Sequence, residues 1–248
     1  MKKIIIFFLL ISVSLYAKSI NVAVAANVSY AIHALVNEYN KAHPNTKVQI
    51  TLGSSGKLTA QIQNGAPYDI FMSANMKYPD ALYTKALALT KPLIYAKGSL
   101  AIFSTRKRDF SQGINIVKNK NIRTIAIANP QTAPYGKASV EALKNAKLYK
   151  EVKYKFVYAE SASQTVAYSV TATDLGFIAK SALFSPKMQH YKKGINFTDV
   201  DPKLYKAISQ GVVILKRAAN NPEAKSFYNF LFSAQAKEIF KKYGYLLP

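Results

Sequence analysis

Small polar residues recur at four places where an apolar run gives way to a helical pattern. They are Ala26, Asn27 and Ser29 after "INVAV", Ser54, Ser55 and Gly56 after "VQITLG", Tyr135 and Gly136 in "NPQTAPYGKAS", and Ser161, Ala162 and Ser163 after "FVYA". Hydroxyls, amides and the free N–H groups of a helix start are donors that carry no formal charge, and the helix dipole adds a positive end. Converging on one point, such donors hold an anion without a countercharge. A site made only of donors also rejects a protonated ligand, whose hydrogen finds no acceptor. Taken singly, each turn is equally what ordinary helix capping produces, since the same residue types start helices. Two turns from each half of the chain, facing one cleft, point to a ligand.

Other chemistries find little support. The three histidines, His33, His43 and His190, are dispersed, and there is no cysteine. Thiol catalysis, disulfides and cysteine metal sites are therefore excluded, and no metal site or cofactor is expected. "GSSGK" is neither a phosphate-binding loop nor a nucleophile elbow: Gly53 and Gly56 are wrongly spaced for the first, and Leu58 follows the lysine. An exported hydrolase using Ser55 would need a base, and none is obviously placed to serve it. The 12 carboxylates include no convincing acid/base pair. The expectation is a binding protein, not an enzyme.

The formal charge is +22 with a pI near 9.9, which raises a polyanion-binding protein as an alternative. Only Arg106, Arg108, Arg123 and Arg217 are arginines, however, and the lysines are scattered along the chain. Nucleic-acid modules concentrate charge on one element and favour arginine forks. A lysine-rich solvated surface is the simpler reading, with no nucleic-acid partner. Residues 1–17, "MKKIIIFFLLISVSLYA", have a charged start, a short apolar run and a small residue at Ala17. That is the pattern of an export signal, and it implies a periplasmic protein. No later stretch approaches the roughly 20 apolar residues of a membrane span.

The elements that position the four turns alternate strand and helix, as in an α/β fold with doubly wound sheets. A helix is expected over residues 29–42, with Ile32, Leu35, Val36 and Tyr39 on one face. Helices are further expected from about 136 to 147 and 163 to 172, and one long helical region opens at Asn221 and Pro222. Two apolar runs flank "AKGS" near residue 97, a plausible crossover. The simplest organisation is two domains with a cleft between them, residues 18–97 with 209–248 and residues 98–208.

These segments resemble the molybdate/tungstate-binding proteins of bacterial ABC importers, a family of two-domain periplasmic receptors. The resemblance runs in register over nearly the whole mature length: "VAVAANVSYAI", "GSSGKLTAQIQNGAPYDIFMSA", "IAIANPQTAPYGKASVEAL", "AESASQTVAYSV", "DLGFIAKSAL", "ISQGVVIL" and "FYNFLFSAQAKEIFKKYGY". It implies a monomer that closes over a tetrahedral oxyanion, molybdate or tungstate, and delivers it to a membrane permease. By position it places the ligand contacts on Ala26, Asn27, Ser55, Tyr135 and Ala162, the last two largely through backbone N–H groups. Ser54, Ser161 and Ser163 lie beside them. Two departures stand out. Many members carry Ser or Thr in the first turn, where Ala26 and Asn27 lose a hydroxyl and keep an amide donor. Ala179 stands where some members have a tyrosine, and Tyr135 matches those that carry it in the "AP-x-G" turn instead. The resemblance leaves a receptor for another oxyanion, such as sulfate or phosphate, as the alternative.

Overall fold

The computed structural model describes residues 18–248, so the expected export signal lies outside the described residues. Among the described residues ten strands form two five-stranded sheets. In chain order they are β1 (Lys18–Ala25), β2 (Thr46–Gly53), β3 (Ile70–Met72), β4 (Leu93–Gly98), β5 (Leu100–Phe103), β6 (Ile125–Ala128), β7 (Phe156–Ala159), β8 (Leu175–Ala179), β9 (Phe197–Asp199) and β10 (Ile208–Ile214). The first sheet has the order β2-β1-β3-β10-β4 and the second β7-β6-β8-β5-β9. Around them lie helices α1 (Ile32–Ala42), α2 (Ser55–Gln63), α3 (Lys77–Thr84), α4 (Pro134–Asn145), α5 (Tyr149–Val152), α6 (Ala162–Thr171), α7 (Pro222–Phe230) and α8 (Ala234–Lys242).

The sheets are mixed, each built to one plan. β1, β2 and β3 are parallel, as are β6, β7 and β8. β10 runs against both β3 and β4, and β5 against both β8 and β9. The reversed strands are those that enter a lobe from its neighbour. They start at the cleft, where the parallel strands end, so they must point the other way. Only Ser99 separates β4 in one sheet from β5 in the other. The two crossings are laced together, since Ile208 pairs with Gly98 and Ser209 with Lys97.

Both faces of each sheet are covered, which is why the central strands read as continuous apolar runs. In the first lobe Val22, Val24, Leu35, Phe227 and Phe240 share one core, and Leu58, Phe71 and Leu82 form another. In the second lobe Ile125, Ile127, Leu143 and Phe177 lie in one core, Phe103 and Ile178 in the other.

Two local expectations need correction. The helix expected from residue 29 begins at Ile32, and a 3-10 turn, Ala26–Val28, stands between it and β1. The single C-terminal helical region is two helices: Asn221 caps α7, and Ser233 caps α8 by accepting the Ala236 N–H at 3.2 Å. The short strand β9, whose residues are all only partly buried, gives no signal in the sequence.

Candidate functional site

The carboxyl ends of β1, β2 and β6, together with the turn after β7, face one another across the junction of the lobes. Ser54 caps α2 by accepting the Lys57 N–H at 3.4 Å, and Ser161 caps α6 by accepting the Gln164 N–H at 3.4 Å. These caps occupy the third N–H of each helix. The first, on Ser55 and Ala162, has no acceptor within its own helix. α4 starts differently: Pro134 occupies its first turn, and no side chain caps it. The 3-10 turn Ala26–Val28 also lacks a side-chain cap.

These turns line one small chamber. Ala26, Asn27, Ser54, Ser55, Tyr135 and Ala162 all line it. Ser161 sits behind the wall as the α6 cap, and Ser163 instead lines a separate groove with Ser29 and His33. Among the described residues no Lys, Arg, His, Asp or Glu lines the chamber, so whatever it holds meets dipoles and not charges there.

Ser55 is 1% exposed, and its hydroxyl accepts the Ala74 N–H at 3.0 Å. A hydroxyl that already accepts on one side has its proton free for the other, toward the chamber. The Tyr135 hydroxyl is buried and has no hydrogen-bond partner among the described residues. Burial lifts its pKa well above the ordinary tyrosine value, and Tyr245, Tyr95 and Tyr205 push the same way, while the Asn27 side chain works against them. It is a neutral O–H donor at any physiological pH.

Asn27 plays a different part from the amide donor expected. Its Nδ2 donates to Gln210 Oε1 at 2.7 Å and to the Tyr245 hydroxyl at 3.2 Å. Its carbonyl accepts from Tyr245 at 2.8 Å and from Ser181 at 3.0 Å. The Nδ2 side of the amide is thus committed within the protein, while Oδ1 is buried with no hydrogen-bond partner among the described residues, so Asn27 can donate to a ligand only through its backbone. Gln210, Tyr245, Ser181 and Tyr95 form the support that sequence reasoning missed. A lone glutamine in the apolar strand "ISQGVVIL" was the available signal.

The lobes touch directly around the chamber. Gly56 N–H donates to Thr132 O at 2.8 Å and Ser54 N–H to Glu160 Oε1 at 3.2 Å, while Tyr78 Oη donates to Gln131 O at 3.3 Å. Ser181, from the second lobe, reaches the Asn27 carbonyl of the first.

The model of the bacterial extracellular solute-binding proteins matches residues 20–246. The chain is 31% identical to the molybdate-binding protein ModA of Azotobacter vinelandii over 238 residues, covering 95% of this chain and 93% of that one. With ModA of Rhodobacter capsulatus the identity is 32%, covering 80% and 77%. Among solved structures, the periplasmic molybdate-binding protein of A. vinelandii superimposes with a TM-score of 0.85 at 32% identity, covering 92% of this chain and 99% of that one. Two lobes of matching topology, a neutral chamber between them and these relatives agree: the chain belongs to the bacterial extracellular solute-binding protein family.

Proposed function

We propose that the protein is the periplasmic binding component of an ABC importer for molybdate or tungstate. The observation that carries this reading is the uncharged chamber into which turns from both lobes bring Ser55, Tyr135 and the helix starts at Ala26 and Ala162. A buried dianion is stabilised there by convergent N–H and O–H dipoles, and a protonated anion is refused for want of an acceptor. The relatives named for molybdate support the choice of oxyanion. Residues 18–97 with 209–248 form one domain and 98–208 the other, and Asn27 contributes its backbone. The lobes part to admit the ion and close on it, the closed form being favoured only by contacts the ion makes there. The closed monomer delivers its cargo to the permease; ATP is consumed by other subunits, and no cofactor or catalytic step is involved.

Calorimetry on the mature protein with molybdate, tungstate, sulfate and phosphate tests the reading. Tight binding of the first two and weak binding of the others is expected. Because the site is buried, affinity should change little with salt, in contrast to surface binding of a polyanion. Sulfate binding as tightly as molybdate would refute the assignment in favour of a general oxyanion receptor.

A further inference from the structure

We propose that Glu160 is a latch on the mouth of the chamber: its carboxylate holds Ser54 of the opposite lobe and slows release of the bound anion. The inference rests on reading the chamber as an oxyanion site.

The chain carries 34 Lys and Arg residues against 12 Asp and Glu, so a carboxylate has cations in plenty to pair with. Among the described residues Glu160 pairs with none of them. Its Oε1 instead accepts the backbone N–H of Ser54 at 3.2 Å, 106 residues away and in the other lobe. Ser54 caps α2, so the carboxylate sits at the positive end of that helix and makes a charge-assisted bond.

Ser54 lines the chamber on one side and, on the other, a groove open at the junction of the lobes. Glu160 lines the groove and not the chamber. It fastens the partition from outside, without meeting the anion. Gly56 and Thr132 line the same groove and supply its second tie, from the Gly56 N–H to Thr132 O at 2.8 Å. An ion leaving through this groove passes only once the lobes let go of each other here.

Glu160 is exposed, yet its backbone is held on both sides. Ala159 O, just before it, accepts the Asn129 N–H at 2.7 Å. The Glu160 N–H donates to Gln164 Oε1 at 2.6 Å, and the Gln164 N–H donates to Ser161 Oγ at 3.4 Å. This reciprocal cap on α6 gives the side chain a fixed starting point opposite Ser54, so little freedom is lost when the bond forms. Charge alone argues against an acid at this place, because a carboxylate near a dianion repels it. Repulsion and latching therefore predict opposite effects when the side chain is removed.

The test compares wild type, Glu160→Ala and Glu160→Gln. Calorimetry gives the molybdate dissociation constant and stopped-flow tyrosine fluorescence the association rate; their product is the release rate. Glu160→Ala should speed release about three- to tenfold, the loss of one hydrogen bond across the junction. Glu160→Gln drops the charge but keeps an oxygen that accepts the Ser54 N–H. Its release should stay within about twofold of wild type or become slower. Ligand-free melting temperatures should coincide in all three. Unchanged or slower release in Glu160→Ala, equally faster release in both variants, or a lowered ligand-free melting temperature in Glu160→Ala would overturn the latch and leave the oxyanion reading intact. Failure of the wild-type protein to bind molybdate or tungstate would overturn both.

Discussion

A single methyl group at Gly56 separates the closing of the lobes from the making of the ligand site. Gly56 lies in the first turn of α2, and its N–H donates across the junction to Thr132 O. A Cβ there would lie 2.9 Å from Thr132 Cα and 3.0 Å from Thr132 O, both backbone atoms of the opposite lobe, and 2.9 Å from Tyr78 Oη. The tyrosine can swing aside, but the Thr132 backbone moves only with its lobe. Within α2 the change is favourable, since alanine exceeds glycine in helix propensity by about 1 kcal/mol. The cost therefore falls on the closed arrangement, and overpacking of this kind costs about 1–3 kcal/mol. Gly56→Ala should weaken molybdate binding by about 5- to 150-fold. It should leave the ligand-free melting temperature unchanged or slightly raised. Calorimetry and thermal melting on the same preparation supply both numbers. Affinity within about twofold of wild type, or a parallel fall in ligand-free stability, would refute the reasoning that this contact forms on closure.

Ser55→Ala removes a chamber donor and strands the Ala74 N–H that its hydroxyl accepts. Binding should weaken by about 1–3 kcal/mol, and unchanged calorimetry would remove Ser55 from the ligand set. Asp174 bears on acid stability. Burial raises its pKa, but the N–H groups of Arg123 and Thr124, the Thr124 hydroxyl and Arg108 outweigh this and hold it below the ordinary aspartate value. A depressed folded pKa means the contribution is complete above the ordinary carboxylate range and lost as pH falls through the folded value. The wild-type melting temperature should therefore drop on acidification below that range. Asp174→Asn should flatten this limb, and coincident pH profiles would show that Asp174 contributes nothing.

Capping made two of the four turns visible in the sequence, because it is a local matter between a side chain and the next three residues. Ser54 and Ser161 are caps in the structure, and the residues beside them, Ser55 and Ala162, line the chamber. Strand direction was hidden for the opposite reason. Nothing in "GVVIL" tells β10 to run against its neighbours; the crossing between lobes decides that. β9 escaped notice because its three residues are all only partly buried and need no apolar alternation. The role of Asn27 was out of reach, since its partners Gln210 and Tyr245 lie 183 and 218 residues away.

Those separations bear on the order in which the molecule assembles. Every strand of the second sheet lies between residues 100 and 199, so that lobe can condense from one uninterrupted stretch of chain. The first sheet needs β10, and the turn at Asn27 needs Tyr245, 218 residues further along the chain. Non-local pairings of this kind form late, after the loops that separate them have closed. Pulse-labelled hydrogen exchange during refolding should protect β6 and β8 before the pairing of β10 with β3, and protection in the reverse order would contradict this. The turn at Asn27 thus waits on a residue 218 positions downstream, and competence to bind comes only after that long-range contact forms.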